Sequence, residues 1–172
     1  VERLRVNTGK KTLFPLQPDS TVKNHFAYDL QERGDSLFLA GSYSLPSTGF
    51  KPFWAVFDST GQLAHYRDTG YTYRVPTFNK VEFFEDQVIF ITRNSKYGLK
   101  MEIRNLPDLS LYKEVYARQT YPPGQEDNYV HTLLEILPQG QNNLPMGLGL
   151  YQNGNVGLIK YAADWSIASV DS

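Results

Sequence analysis

The chain has 172 residues, enough for one ordinary domain whose core needs no disulfide or metal staple. Its 17 basic and 18 acidic side chains give a formal net charge of -1, which argues against a dedicated nucleic-acid binder, and no apolar run of about 18 residues offers a membrane span. The absence of cysteine excludes disulfides, zinc–thiolate sites and thiol catalysis, while 12 Tyr, 10 Phe, 13 Gly and 10 Pro read as an all-β protein with many turns.

Residues 1–14 read as strand, turn, strand, with Leu4 and Val6 alternating with polar residues and Asn7-Thr-Gly9 as the turn. A first residue of Val1 suggests a processed form or a fragment. Residues 15–24 are a polar loop with Pro15 and Pro18. A strand over 25–31 and a tight turn over 32–35 precede the apolar run 36–43, which suits a strand buried on both faces. A loop over 44–52, holding Pro46, Gly49 and Pro52, leads to a hairpin over 53–68. Its turn is Asp58-Ser-Thr-Gly61: Asp bonds the backbone two residues on, and Gly accepts a positive φ.

The pattern then repeats. Residues 69–79 connect to a short strand over 80–84, a turn over 85–87 and the apolar run 88–92. A loop over 93–98 precedes a strand to Arg104 in which Leu99, Met101 and Ile103 alternate with charged residues. Asn105 to Asp108 turn the chain, and 109–117 form the outer strand. After a long connection over 118–129 come strands over 130–137 and 144–151, a turn over 152–155, and the hairpin strands 156–161 and 165–170 around a turn at 162–164.

The hairpins align on Val6, Phe57, Ile103 and Ile159, separated by 51, 46 and 56 residues. The order in each unit is short strand, buried strand, alternating strand, outer strand. A period of roughly 40 to 50 residues with four strands marks a β-propeller blade. The expected fold is thus all-β with four-stranded antiparallel blades at 25–68, 80–117 and 130–170, after a closing hairpin at 1–14. A β-sandwich with evenly spaced strands is the alternative.

The segment Phe53 to Leu63, containing Phe57-Asp-Ser-Thr-Gly-Gln-Leu63 and preceded by Asp35 to Tyr43, resembles the β-propeller repeat proteins of bacterial envelopes and secretomes. The other copies match in pattern rather than in letters. The chain lacks a blade-closing Trp-Asp, a kelch double glycine and a Tyr-Trp-Thr-Asp motif, so the resemblance implies a fold and an extracytoplasmic location but no activity. Three units and a hairpin fall short of the roughly four blades that a closed ring needs. The expectation is a piece of a longer ring, closure with a second copy, or an open array with covered edges.

In such blades the connections at one end are long here: 15–24, 44–52, 67–79, 93–98, 118–129 and 152–155. They carry Arg67, Tyr71, Tyr73, Arg74, Arg93, Tyr97, Arg118, Tyr121 and Tyr129. The other end has mostly short turns. Tyr and Arg are favoured at binding hot spots, and long loops on a rigid scaffold carry function. The expected binding residues are Arg67, Tyr71, Tyr73, Arg74, Arg93, Tyr97, Tyr121 and Tyr129.

Chemistry is less visible. His25, His65 and His131 lack metal-site spacing, so no metal or other cofactor is expected. Gly41-Ser-Tyr-Ser-Leu45 lacks the second glycine of a nucleophile elbow. Asp29, Glu32, Asp35, Glu85 and Asp86 map to the short-turn end, and Glu126 and Asp127 to the long-loop end. The leading expectation is a non-catalytic binding or scaffold module for a protein, peptide or glycan, with another protein chain or the rest of a larger propeller as partner. The alternatives are a glycan-acting hydrolase or lyase using Glu126 or Asp127, and a purely structural segment of a larger assembly.

Overall fold

A computed structural model of the chain describes residues 2–4, 11–13, 24–45, 49–68, 79–94, 98–116, 130–137, 144–151 and 155–171. These residues form strands and turns, with no helix among them, and divide into two compact units, Val1–Val81 and Glu82–Ser172. The fold is all-β, and its main elements are four-stranded antiparallel sheets, as the alternation of apolar runs and turn residues predicts.

The first unit holds a two-stranded sheet of β1 (Glu2–Leu4) and β2 (Lys11–Leu13), and a four-stranded sheet. The latter is β3 (Asn24–Arg33), β4 (Ser36–Leu45), β5 (Gly49–Phe57) and β6 (Leu63–Asp68), each paired with its neighbour in sequence. Leu37, Leu39, Tyr43, Phe53, Ala55 and Phe57 form the core on one face. Phe38, Ala40, Trp54 and Val56, which alternate with them, are buried as well, so the middle strands have no wet face. Gly41 leaves a gap on the core face that the Phe53 ring fills: a Cβ there would lie 2.7 Å from the ring and closer still to the Phe26 carbonyl oxygen.

The second unit holds two such sheets. One is β7 (Asn79–Phe84, which crosses the unit boundary after Val81), β8 (Gln87–Asn94), β9 (Gly98–Asn105) and β10 (Leu111–Tyr116); the other is β11 (Val130–Leu137), β12 (Met146–Tyr151), β13 (Val156–Tyr161) and β14 (Ile167–Asp171). They pack face to face around Ile89, Ile91, Met101, Ile103, Val115, Ile136, Ile159, Tyr161 and Trp165. The alternating strand β9 buries its charged face too. Lys100, Glu102 and Arg104 are all less than a tenth exposed. Lys100 Nζ lies 2.8 Å from Glu114 Oε1 and 3.8 Å from Glu102 Oε2, and Arg104 Nε donates to Glu102 Oε1 at 2.6 Å. Arg104 Nη1 also donates to the Leu109 carbonyl, and Tyr116 OH to Glu114 Oε2. Buried ions persist only when paired in this way.

Several boundaries differ from the sequence reading. Residues 49–52, expected in a loop, open β5, with Pro52 opposite Ser42 of β4. β6 ends at Asp68 opposite Phe53, so Pro52 stands where β5 has a described neighbour on one side only and its missing N–H costs little. Arg67 and Arg93, expected in loops, lie in β6 opposite Trp54 and in β8 opposite Leu99. Leu109 and Trp165, expected in strands, sit in turns at φ 59° and 64°.

The turns that join the third and fourth strand of each sheet share one device. Gly61, Leu109 and Trp165 take the left-handed position and donate to the carbonyls of Asp58, Asn105 and Ala162. The next residue, Gln62, Ser110 or Ser166, donates its N–H to the Oδ1 of Asp58, Asp108 or Asp164 at 3.0 to 3.1 Å. Hydroxyls of Thr60, Ser110 and Ser166 add a second bond to the same oxygens. These bonds hold the three carboxyls below their ordinary pKa, with Lys113 contributing at Asp164.

Two outcomes follow. Gly41→Ala is expected to lower stability by about 1–3 kcal/mol in urea unfolding, because its Cβ meets backbone as well as a ring. Each of the three carboxyls has its folded pKa depressed, so its contribution is full above about pH 4 and lost as pH falls through the folded value. A variant with Asp58, Asp108 and Asp164 changed to Ala should therefore show a shallower fall of stability between about pH 4 and pH 2 than the parent.

Candidate functional site

The long-loop end of the β3–β6 sheet carries a cluster drawn from all four strands. β3 begins there and β4 ends there, β5 begins there and β6 ends there, so residues far apart in sequence meet by register alone. His25 is paired with Tyr43, Tyr43 with Lys51, and Phe53 with Asp68. Because side chains alternate along a strand, Phe53, Tyr66 and Asp68 share a face with Tyr43.

The rings form one group. Phe53 stacks on Tyr66 at 5.5 Å, meets the His25 imidazole edge-on at 5.9 Å, and lies 6.2 Å from Tyr43. Tyr43 OH donates to Asp68 Oδ2 at 3.0 Å, and Lys51 Nζ lies 3.6 Å from the same oxygen. Burial, with Tyr43 and Asp68 nearby, pushes the Tyr66 phenol well above its ordinary pKa. His25 Nε2 is buried with no hydrogen-bond partner among the described residues, and burial holds the imidazole below its usual pKa. Phe53 and Tyr43 are core residues, so the partly exposed groups of the cluster are one imidazole, one ammonium, one phenol and one carboxylate, from His25, Lys51, Tyr66 and Asp68.

Of the eight residues expected to bind, Arg67 is exposed on β6 but points to the face opposite Tyr66 and Asp68, beside Trp54 in register. Arg93 is placed by its backbone at the far end of β8. Tyr71, Tyr73, Arg74, Tyr97, Tyr121 and Tyr129 lie outside the described residues, as do Arg118, Glu126 and Asp127. The sequence reading missed Tyr43, Lys51 and Tyr66. A period-2 count from Phe53 along the hairpin would have placed Tyr66 and Asp68 on one face, but Lys51 stood in an expected loop.

The other candidates take structural roles or remain apart. Asp29 Oδ2 accepts from the Val81 N–H at 2.9 Å and its Oδ1 from Leu30 N–H and Gln31 Nε2. His65 is exposed on β6, and His131 is placed on β11. Among the described residues no group of three His, Cys, Asp or Glu could hold a metal ion, and no helix is long and apolar enough to cross a membrane. The chain matches no family model, no curated protein sequence and no solved structure.

The lowered pKa of His25 has a pH signature. Its folded pKa is lowered, so stability is full above the unfolded value of about 6.5 and declines as pH falls through that range toward the folded pKa. Urea midpoints measured between about pH 7.5 and pH 5 should fall in the parent and fall less in His25→Phe.

Proposed function

We propose that the successive four-stranded sheets are blades of a β-propeller, and that the chain is a non-catalytic binding or scaffold module working outside the cytoplasm through its long-loop end. Strand order carries this reading. Each of the three four-stranded sheets is built from strands consecutive in sequence, each beside its chain neighbour, and no described strand is lent to another sheet. A propeller blade is such a unit, whereas immunoglobulin-type sandwiches join their sheets by Greek-key crossings. The burial gradient supports it too: β4 and β5 are buried for most of their length, while β6 is largely exposed. The face-to-face packing of the two sheets of the second unit suits a two-sheet sandwich equally, and that is the second reading.

The partner that this end suits is a protein, peptide or glycan, or a further segment of a larger propeller. Tyr66, Asp68 and Lys51 give an aromatic ring and hydrogen-bonding groups at the edge from which 69–78, with Tyr71, Tyr73 and Arg74, departs. Aromatic and cationic side chains of this kind dominate recognition surfaces.

Immobilised oligosaccharides and a random peptide library, screened with the chain and with its Tyr71→Ala/Tyr73→Ala/Tyr121→Ala variant, test the assignment. Ligands retained by the chain should bind the variant at least about ten-fold more weakly, a difference of about 1.4 kcal/mol. Ligands held equally by both would remove these loops from the reading.

A further inference from the structure

The short-turn end of the second unit holds a cavity of about 410 Å³, within the range of small-ligand sites. The turns after β7 and β9, the approach to β12 and the turn before β14 form its walls. Phe84, Leu106, Leu144 and Trp165 supply hydrocarbon, and Gln87 and Asn105 supply two half-buried amides. Glu85 and Asp86 also reach it, but both are exposed and have partners of their own. No lining residue is a cation.

A donor-only group fixes the orientation of both amides. The Trp165 indole N–H can donate and cannot accept. It meets Gln87 Oε1 at 2.8 Å, so Gln87 turns its oxygen to the indole and its Nε2 to Asn105 Oδ1, at 3.4 Å. Asn105 is oriented in the same sense, with Nδ2 donating to Ser110 Oγ at 3.3 Å. A primary amide has two N–H donors and two oxygen lone pairs. The chain of bonds uses one of each on both residues. Among the described residues, Gln87 and Asn105 therefore each keep one N–H and one lone pair for a further partner. The remaining capacity of this wall is donor and acceptor together, without charge and next to hydrocarbon.

We propose that this cavity binds a neutral amide carried on a short hydrocarbon body, either a free carboxamide or a peptide unit beside an aliphatic side chain. An amide returns both functions: its carbonyl accepts a wall N–H, and its own N–H donates to a wall oxygen. A carboxylate would bring acceptors alone and find no cation in the lining. An ammonium would bring donors alone and leave the wall N–H groups unmatched. The hydrocarbon body leaves water against Phe84, Leu106 and Leu144. The site is independent of the loop-end reading above.

The test titrates the full chain with hexanamide, hexanoate and hexylammonium, three probes of one length, and with acetyl-leucine methylamide as a peptide unit. Calorimetry gives the affinities, and NMR follows the indole signal of Trp165 and the side-chain amide signals of Gln87 and Asn105. Hexanamide should saturate at millimolar concentrations, shift all three sets of signals with one dissociation constant, and bind at least about ten-fold more tightly than either ion. Two variants should each weaken it about ten-fold or more. Ala163→Trp adds bulk to the lining from an exposed turn position. Asn105→Asp removes the spare N–H, keeps an oxygen for Gln87 Nε2, and lets the Ser110 hydroxyl turn round to donate. Urea midpoints check that both fold. Tighter binding of acetyl-leucine methylamide than of hexanamide identifies a peptide unit as the source, and the reverse order identifies a free carboxamide. Equal affinity for either ion, indifference to both variants, or no saturation at millimolar concentrations overturns the proposal. If neither variant folds, shifts in the parent that spare Gln87, Asn105 and Trp165 overturn it alone.

Discussion

Burial of both faces of the middle strands is the constraint on which the rest depends. A strand such as β4, with Leu39 and Ala40 alike inaccessible, cannot stand in a sheet with one wet side. Such a sheet needs cover on two faces, and the β7–β10 sheet, whose middle strands are likewise buried, has one face covered by the next sheet in sequence, through Ile103 and Val115 on one side and Ile159 and Trp165 on the other; β13 of that next sheet instead leaves Val156 and Lys160 exposed. The outer strands escape this demand, which is why β6 and β10 carry exposed residues such as His65, Leu111 and Tyr112.

The closing turns resolve a second demand, for a left-handed residue at a fixed place. The first sheet meets it with Gly61, the conformationally cheap choice. The other two put Leu109 and Trp165 there and bury both side chains almost completely. The conformational cost of a non-glycine residue at positive φ is offset by apolar area: the Trp165 indole packs against Phe84 and Tyr161, and its Nε1–H donates to Gln87 Oε1. The same turn thus serves as a plain reversal in one sheet and as a core contributor in another.

Much of the strand pattern was legible in the sequence because it rests on local signals. The apolar runs at 36–43 and 88–92 and the Asp58–Gly61 turn need no tertiary knowledge. What failed was non-local. Trp165 read as the start of a strand because tryptophan favours strands and its positive φ has no sequence mark. Pro52 read as a loop because the place where β6 stops cannot be seen from β5. The loop-end cluster depends on register across four strands, which brings Tyr43 to His25 and Asp68 to Phe53.

The buried charges of β9 have a consequence for folding specificity. Glu102 and Glu114 stand directly opposite each other on neighbouring strands, an arrangement that repels, and Lys100 Nζ reaches both. One lysine thereby turns a like-charge pair into a clamp, with Arg104 closing the far side of Glu102. Because the side-chain period is two, a slip of one residue turns the two faces of a strand over. Such a slip here would drive Lys100, Glu102 and Arg104 into the apolar core around Ile103 and strand buried ions without partners. The quartet therefore acts as a register pin, a role that an apolar replacement of equal volume would not fill even where it matched the stability.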